Sequence, residues 1–78
     1  MELTRTEFNL LELLMRNHGQ VLTRELIFDR VWGYDFGANS NSLEVYIGYL
    51  RRKLRTAERP APIITVRSVG YRFDEDAH

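Results

Sequence analysis

The chain has 78 residues, enough for one domain near the lower size limit for a self-sufficient hydrophobic core. Hydrophobic residues at 44% and aromatics at 12% exclude a disordered chain. No apolar run approaches the roughly 18 residues of a membrane span, and the absence of cysteine excludes a disulfide scaffold or a thiolate metal site. The formal net charge is zero, but it is unevenly spread. Residues 1–40 hold four basic and six acidic groups; residues 41–73 hold seven basic groups against Glu44 and Glu58, and Asp74, Glu75 and Asp76 follow. That asymmetry points to a polyanion-facing surface, although a solvated basic helix end complementing the macrodipole accounts equally well for the Arg51–Arg55 run.

The first helix begins at "LTRTEF". Thr4 is the N-cap, Glu7 completes a capping box, and Leu3 and Phe8 stand where a hydrophobic staple would form. Phe8, Leu10, Leu11, Leu13, Leu14 and Met15 cover more than half of the helix circumference, so this helix expects cover on two sides. Gly19 supplies a left-handed stop. "LTRELIF" repeats the device, with Thr23 as N-cap and Leu22 and Ile27 as the staple, and Gly33 ends the helix after Trp32. After the loop "GYDFGANS", the stretch "NSLE" announces a third helix, with Asn41 as N-cap and Glu44 as its capping-box partner, running to about Arg55.

On that helix Leu43, Ile47, Leu50 and Leu54 form one apolar stripe. The opposite face carries Asn41, Glu44, Val45, Gly48, Tyr49 and Arg52, an unusual composition for a surface that only meets water. Beyond "ERPAP", the β-branched run "IITV" reads as a strand, "RSVG" as a turn and "YRF" as a returning strand, giving a short hairpin with Arg67 at or beside its tip.

Three helices followed by a hairpin are the order of a winged helix-turn-helix, an α+β fold. "LTRTEFNLLELLMRNHGQVLTRELIFDRVWGYDF", "EVYIGYLRRKL" and "TVRSVGYRF" resemble the DNA-binding effector domain of OmpR/PhoB-type response regulators from Leu3 to Phe73. The resemblance implies double-stranded DNA as partner, with the third helix in the major groove and the wing in the minor groove. It further implies a two-component transcription regulator in a phosphorelay, pairing in tandem on direct-repeat sites, and a cytoplasmic location. Members carry a receiver domain and a small sheet ahead of the first helix, so residues 1–78 are expected to be a fragment lacking the receiver and most of that sheet. An apolar face or strand edge so uncovered can recruit a neighbouring chain, and partial self-association or reduced stability is expected.

On that docking, Glu44 accepts from cytosine N4 and Val45 meets a thymine methyl. Gly48 permits close approach, and Tyr49 reaches a base or a phosphate. Family members favour long polar residues at the positions of Gly48 and Tyr49, so direct readout is expected to be thinner here. At about 100° per residue, Arg52 lies central on the free face with Arg51 on its flank, and both are assigned to phosphates. Simple solvation is the reading for Lys53 and Arg55. Trp32, Asn41, Ser42, Tyr46 and Thr65 complete the phosphate-contact candidates, although Trp32 fits the core as readily, and Tyr71 reads as core. Arg67 is the minor-groove candidate. The residue after it is usually glycine in the family but Ser68 here, which reshapes the tip. Asp35 and Phe36 lie in the segment through which some members touch RNA polymerase.

The competing reading is a winged-helix protein-interaction module that uses the Val45/Tyr49 face. An enzyme is not expected. The two histidines are His18 at a helix end and His78 at the chain terminus; no Ser/His/Asp or Cys/His arrangement, no carboxylate–histidine cluster of metal-ligand type and no phosphate-binding glycine loop occurs.

Overall fold

Helix α1 (Arg5–Arg16) forms because both of its ends are closed locally. In the computed structural model, which describes residues 2–33 and 41–75, the Thr4 hydroxyl accepts from the Glu7 N–H at 3.2 Å while Glu7 Oε1 accepts from the Thr4 N–H at 2.8 Å. The capping box is therefore complete. Asn17 ends the helix by donating to the Leu13 carbonyl at 2.8 Å, and Gly19 turns the chain away at φ +84°. Strand β1 (Val21–Thr23) follows, and its last residue caps helix α2 (Arg24–Val31), the Thr23 hydroxyl accepting from the Leu26 N–H at 3.1 Å. Helix α3 (Ser42–Leu54), strand β2 (Ile63–Val66) and strand β3 (Gly70–Phe73) complete the chain.

The hairpin expected at the C-terminus is one part of a three-stranded antiparallel sheet in the order β1-β3-β2. Strand β1 pairs Leu22 with Tyr71 and Thr23 with Gly70, so the chain between the first two helices closes the sheet. Gly70, read from sequence as part of the turn, is a strand residue. A Cβ there would collide with the Leu22 carbonyl oxygen, and only glycine lets β1 approach.

The helices pack their apolar sides onto one core. Leu10, Leu14, Ile27, Leu43, Ile47 and Leu50 are fully buried, with Ile63, Tyr71 and Phe73 from the sheet beside them. Burial at Leu43, Ile47 and Leu50 confirms the stripe on α3, and Leu54 is half-buried at its end. The wide apolar surface of α1 is covered on one side only. Phe8 and Met15, one face of the helix two turns apart, are each 52% exposed. Among the described residues, no helix is long and apolar enough to cross a membrane.

Candidate nucleic-acid interface

Burying Leu43, Ile47 and Leu50 turns the opposite face of α3 to solvent. Asn41, Glu44, Val45, Gly48, Tyr49 and Arg52 are all exposed, Val45 at 38% and Tyr49 at 41%. Three polar attachments fix how this face is presented, and none of them was legible in the sequence.

The first is at the N-terminal end. Asn41 makes no side-chain cap, and Glu44 does not turn back to close a capping box. Instead Arg24, the first residue of α2, grips the Glu44 carboxylate with Nε at 2.8 Å and a terminal nitrogen at 3.0 Å. Two charge-assisted bonds outcompete the neutral cap. The hydrogen bonds from Arg24 hold the Glu44 carboxyl below its ordinary range against partial burial, and the same bonds raise Arg24. Arg24 also lies over the Phe28 ring, 5.5 Å from its centroid. The two carboxylate oxygens expected to read cytosine are thus engaged within the protein.

The second attachment binds the last turn of α3 to the sheet. Arg51 donates to the Ile63 carbonyl through Nε at 3.2 Å and a terminal nitrogen at 2.9 Å, and to the Thr65 hydroxyl at 2.7 Å. Its guanidinium also sits 5.8 Å from the Tyr71 ring centroid. Arg51, assigned from sequence to a DNA phosphate, is half-buried and joins helix to strand. Burial raises the Tyr71 phenol, as fits its place in the core.

The third corrects Lys53, read from sequence as merely solvated. Its ammonium lies 2.7 Å from Glu7 Oε1 and 3.0 Å from the Glu2 carbonyl oxygen, tying the last turn of α3 to the capped start of α1. Glu7 is only 2% exposed. The Lys53 hydrogen bond and the Thr4 N–H hold its carboxyl below the ordinary range, outweighing burial.

Between α3 and β2 runs a groove of about 510 Å³ lined by Arg51, Arg52, Arg55 and Thr65 over Ile63 and Ile64. Arg52 and Arg55 are exposed, and their side chains carry no hydrogen bond or ion pair among the described residues. The groove is therefore a cationic trough whose far wall is a hairpin strand. At the near end of α3, rings form a row: Phe28 to Trp32 at 5.1 Å between centroids, Trp32 to Tyr46 at 5.7 Å, Tyr46 to Tyr49 at 5.4 Å. Trp32 and Tyr46 are half-buried in that row, which holds the exposed Tyr49 ring edge-on.

The turn Val66–Val69 is closed by the Val69 N–H to the Val66 carbonyl at 3.0 Å, placing Arg67 at the tip, exposed. Ser68 adopts φ +67°, the third-position conformation that glycine supplies without strain. The Arg24 N–H donates to the Val69 carbonyl at 3.2 Å, so the start of α2 braces the turn as well as Glu44. Ser42 is half-buried and Thr65 exposed. Asp35 and Phe36 lie outside the described residues.

A helix pair with a third helix laid across it, its outer face bare and flanked by a cationic hairpin, defines a winged-helix regulator domain. The family model described as "Transcriptional regulatory protein, C terminal" matches residues 1–73, and the chain belongs to that family, whose members are transcription regulators and not enzymes. The response regulator MprA of Mycobacterium sp. (strain KMS) is 58% identical over 71 residues, spanning 91% of this chain and 31% of MprA. The chain therefore spans about a third of the length of the curated relatives it matches. The DNA-binding domain of CpxR from E. coli superposes with a TM-score of 0.81 at 37% identity, over 99% of this chain and 76% of that one. The RstA DNA-binding domain of Klebsiella pneumoniae, solved in complex with the RstA box, gives a TM-score of 0.80 at 32% identity, over 94% of this chain and 73% of that one. The resemblance read from the sequence and the fold expected from it are thereby borne out.

Proposed function

We propose that this chain is the sequence-specific, double-stranded DNA-binding domain of a two-component response regulator. The observation that carries the reading is the bare Val45–Gly48–Tyr49 face of α3, flanked by the uncommitted cations Arg52 and Arg55 on one side and by Arg67 at the hairpin tip. Helix α3 enters the major groove, where Val45 contacts a thymine methyl and the braced Tyr49 ring covers a base edge. Gly48 lets the backbone close on the duplex. One phosphate strand follows the trough, contacted by Arg52 and Arg55, while Arg51 and Thr65 form its wall and Arg51 adds positive field. Arg67 enters the adjacent minor groove. With few side chains suited to bidentate base recognition, shape and phosphate contacts carry more of the specificity.

The whole protein extends this reading: a receiver domain promotes tandem pairing on direct repeats in the cytoplasm, and the segment holding Asp35 and Phe36 offers a contact for RNA polymerase. RstA's solved complex with its box supports the DNA partner by similarity.

Fluorescence anisotropy with a labelled mixed-sequence duplex, repeated across salt concentrations, tests the docking. Arg52→Ala and Arg67→Ala should each weaken binding and reduce the salt slope by about 0.9 per lost phosphate contact. Unchanged slopes in both variants would exclude this docking and favour a protein partner for the Val45/Tyr49 face.

A further inference from the structure

Glu44 is the one carboxylate on the exposed face of α3, and it stands in the first turn, the end of a recognition helix that reaches deepest toward base edges. A free carboxylate there would do two things: repel phosphates, and accept from cytosine N4 where that base is opposite. It is not free. The bidentate Arg24 grip occupies both oxygens, and Arg24 is itself anchored by the Phe28 ring and by its backbone N–H to Val69.

We infer that Arg24 is a specificity-determining positioning residue: by gripping Glu44 it withholds the carboxylate from the bases, so the base pair opposite Glu44 is left unread. The inference rests on the DNA-binding reading above. Arg24 touches no base in this scheme and acts through Glu44. The pair presents a locally neutral surface to the duplex, so the approach of phosphates is not opposed at this end of α3. Releasing Glu44 restores both of its capacities. The overall affinity falls, and a cytosine requirement appears where there was none.

The test is selection from a duplex library randomised over the binding site, followed by titration of single-base variants of the winning duplex. It is run on the parent chain and on Arg24→Ala, Arg24→Gln, Glu44→Gln and the double variant Arg24→Ala/Glu44→Gln. The parent and Glu44→Gln should tolerate all four bases at the position opposite residue 44. Both Arg24 variants should prefer cytosine there by about tenfold while binding the library less tightly overall. The double variant should lose the new preference and recover most of the affinity. Arg24→Gln keeps the first three side-chain carbons and a neutral amide donor but loses the charge and the terminal fork, so the readout survives if Arg24→Ala does not fold. A merely structural role for Arg24 would lower affinity without creating a base preference, and that result overturns the inference. So does a parent chain that already demands cytosine and loses the demand in Glu44→Gln. A parent chain that binds no duplex in the library fails the DNA-binding reading itself, and the inference falls with it.

Discussion

Replacing Lys53 by methionine should cost the domain about 2 kcal/mol at neutral pH. Methionine keeps the length and apolar stem of lysine, so the loss isolates the ammonium. What disappears is a 2.7 Å charge-assisted bond to a carboxylate that is 2% exposed, together with the 3.0 Å bond to the Glu2 carbonyl oxygen. Hydrogen bonds to charged groups contribute about 1.5–3 kcal/mol each. Glu7 keeps its bond from the Thr4 N–H, and the Lys53 side chain is 35% exposed, so solvent screens part of the interaction. Both considerations place the figure below the roughly 3–5 kcal/mol of a fully buried pair. For a domain of this size, about 2 kcal/mol lowers Tm by roughly 8–16 °C. The pH dependence gives a second check. The Glu7 carboxyl titrates below its ordinary value of 4.5 when folded, so the pair's stabilisation is complete above that value and is lost as pH falls through the lower folded-state value. Melting followed by circular dichroism at stepwise lower pH should show the gap between parent and Lys53→Met closing in acid. A Tm within about 2 °C of the parent at pH 7, or a gap that does not narrow once Glu7 is protonated, would refute the reasoning.

Other consequences are as direct. Ser68→Gly relieves a side chain held at φ +67° and should stabilise the domain by about 0.5–1 kcal/mol in urea denaturation, the relief being offset in part by glycine's larger unfolded-state entropy. Gly70→Ala drives a Cβ into the Leu22 carbonyl where β1 meets β3 and should destabilise by about 2–3 kcal/mol, read in the same assay. Phe8 and Met15 leave one face of α1 apolar and exposed, so sedimentation velocity should show concentration-dependent association that Phe8→Ser/Met15→Gln abolishes.

What was legible in the sequence was what is local. The Thr4 and Thr23 caps, the glycine stops and the Leu43–Ile47–Leu50 stripe depend on neighbours within a helical turn or two, and the structure reproduces them. The exposed face of α3 follows from the stripe by subtraction. What escaped is what crosses the chain. Arg24 meets Glu44 across 20 positions, Arg51 meets Ile63 across 12 and Lys53 meets Glu7 across 46. Charged side chains carry no periodic signature of their partners, so each was read by its position on one helix alone. The capping box at Asn41 failed for the same reason, because a local rule cannot weigh a distant guanidinium. Strand β1 is only Val21–Thr23, too short to alternate visibly, and its role depends on Gly70 from the far end of the chain.

The central claim is that the bare face of α3 and the hairpin tip together hold DNA. The measurement that tests it most directly is the ¹⁵N–¹H amide spectrum of the chain, titrated with a short mixed-sequence duplex at two salt concentrations. The account predicts shifts confined to Asn41–Arg55 and the Val66–Val69 turn, retreating as salt is added. A dispersed spectrum in which those amides stay still, while the Phe8–Met15 face or nothing at all moves, would contradict it.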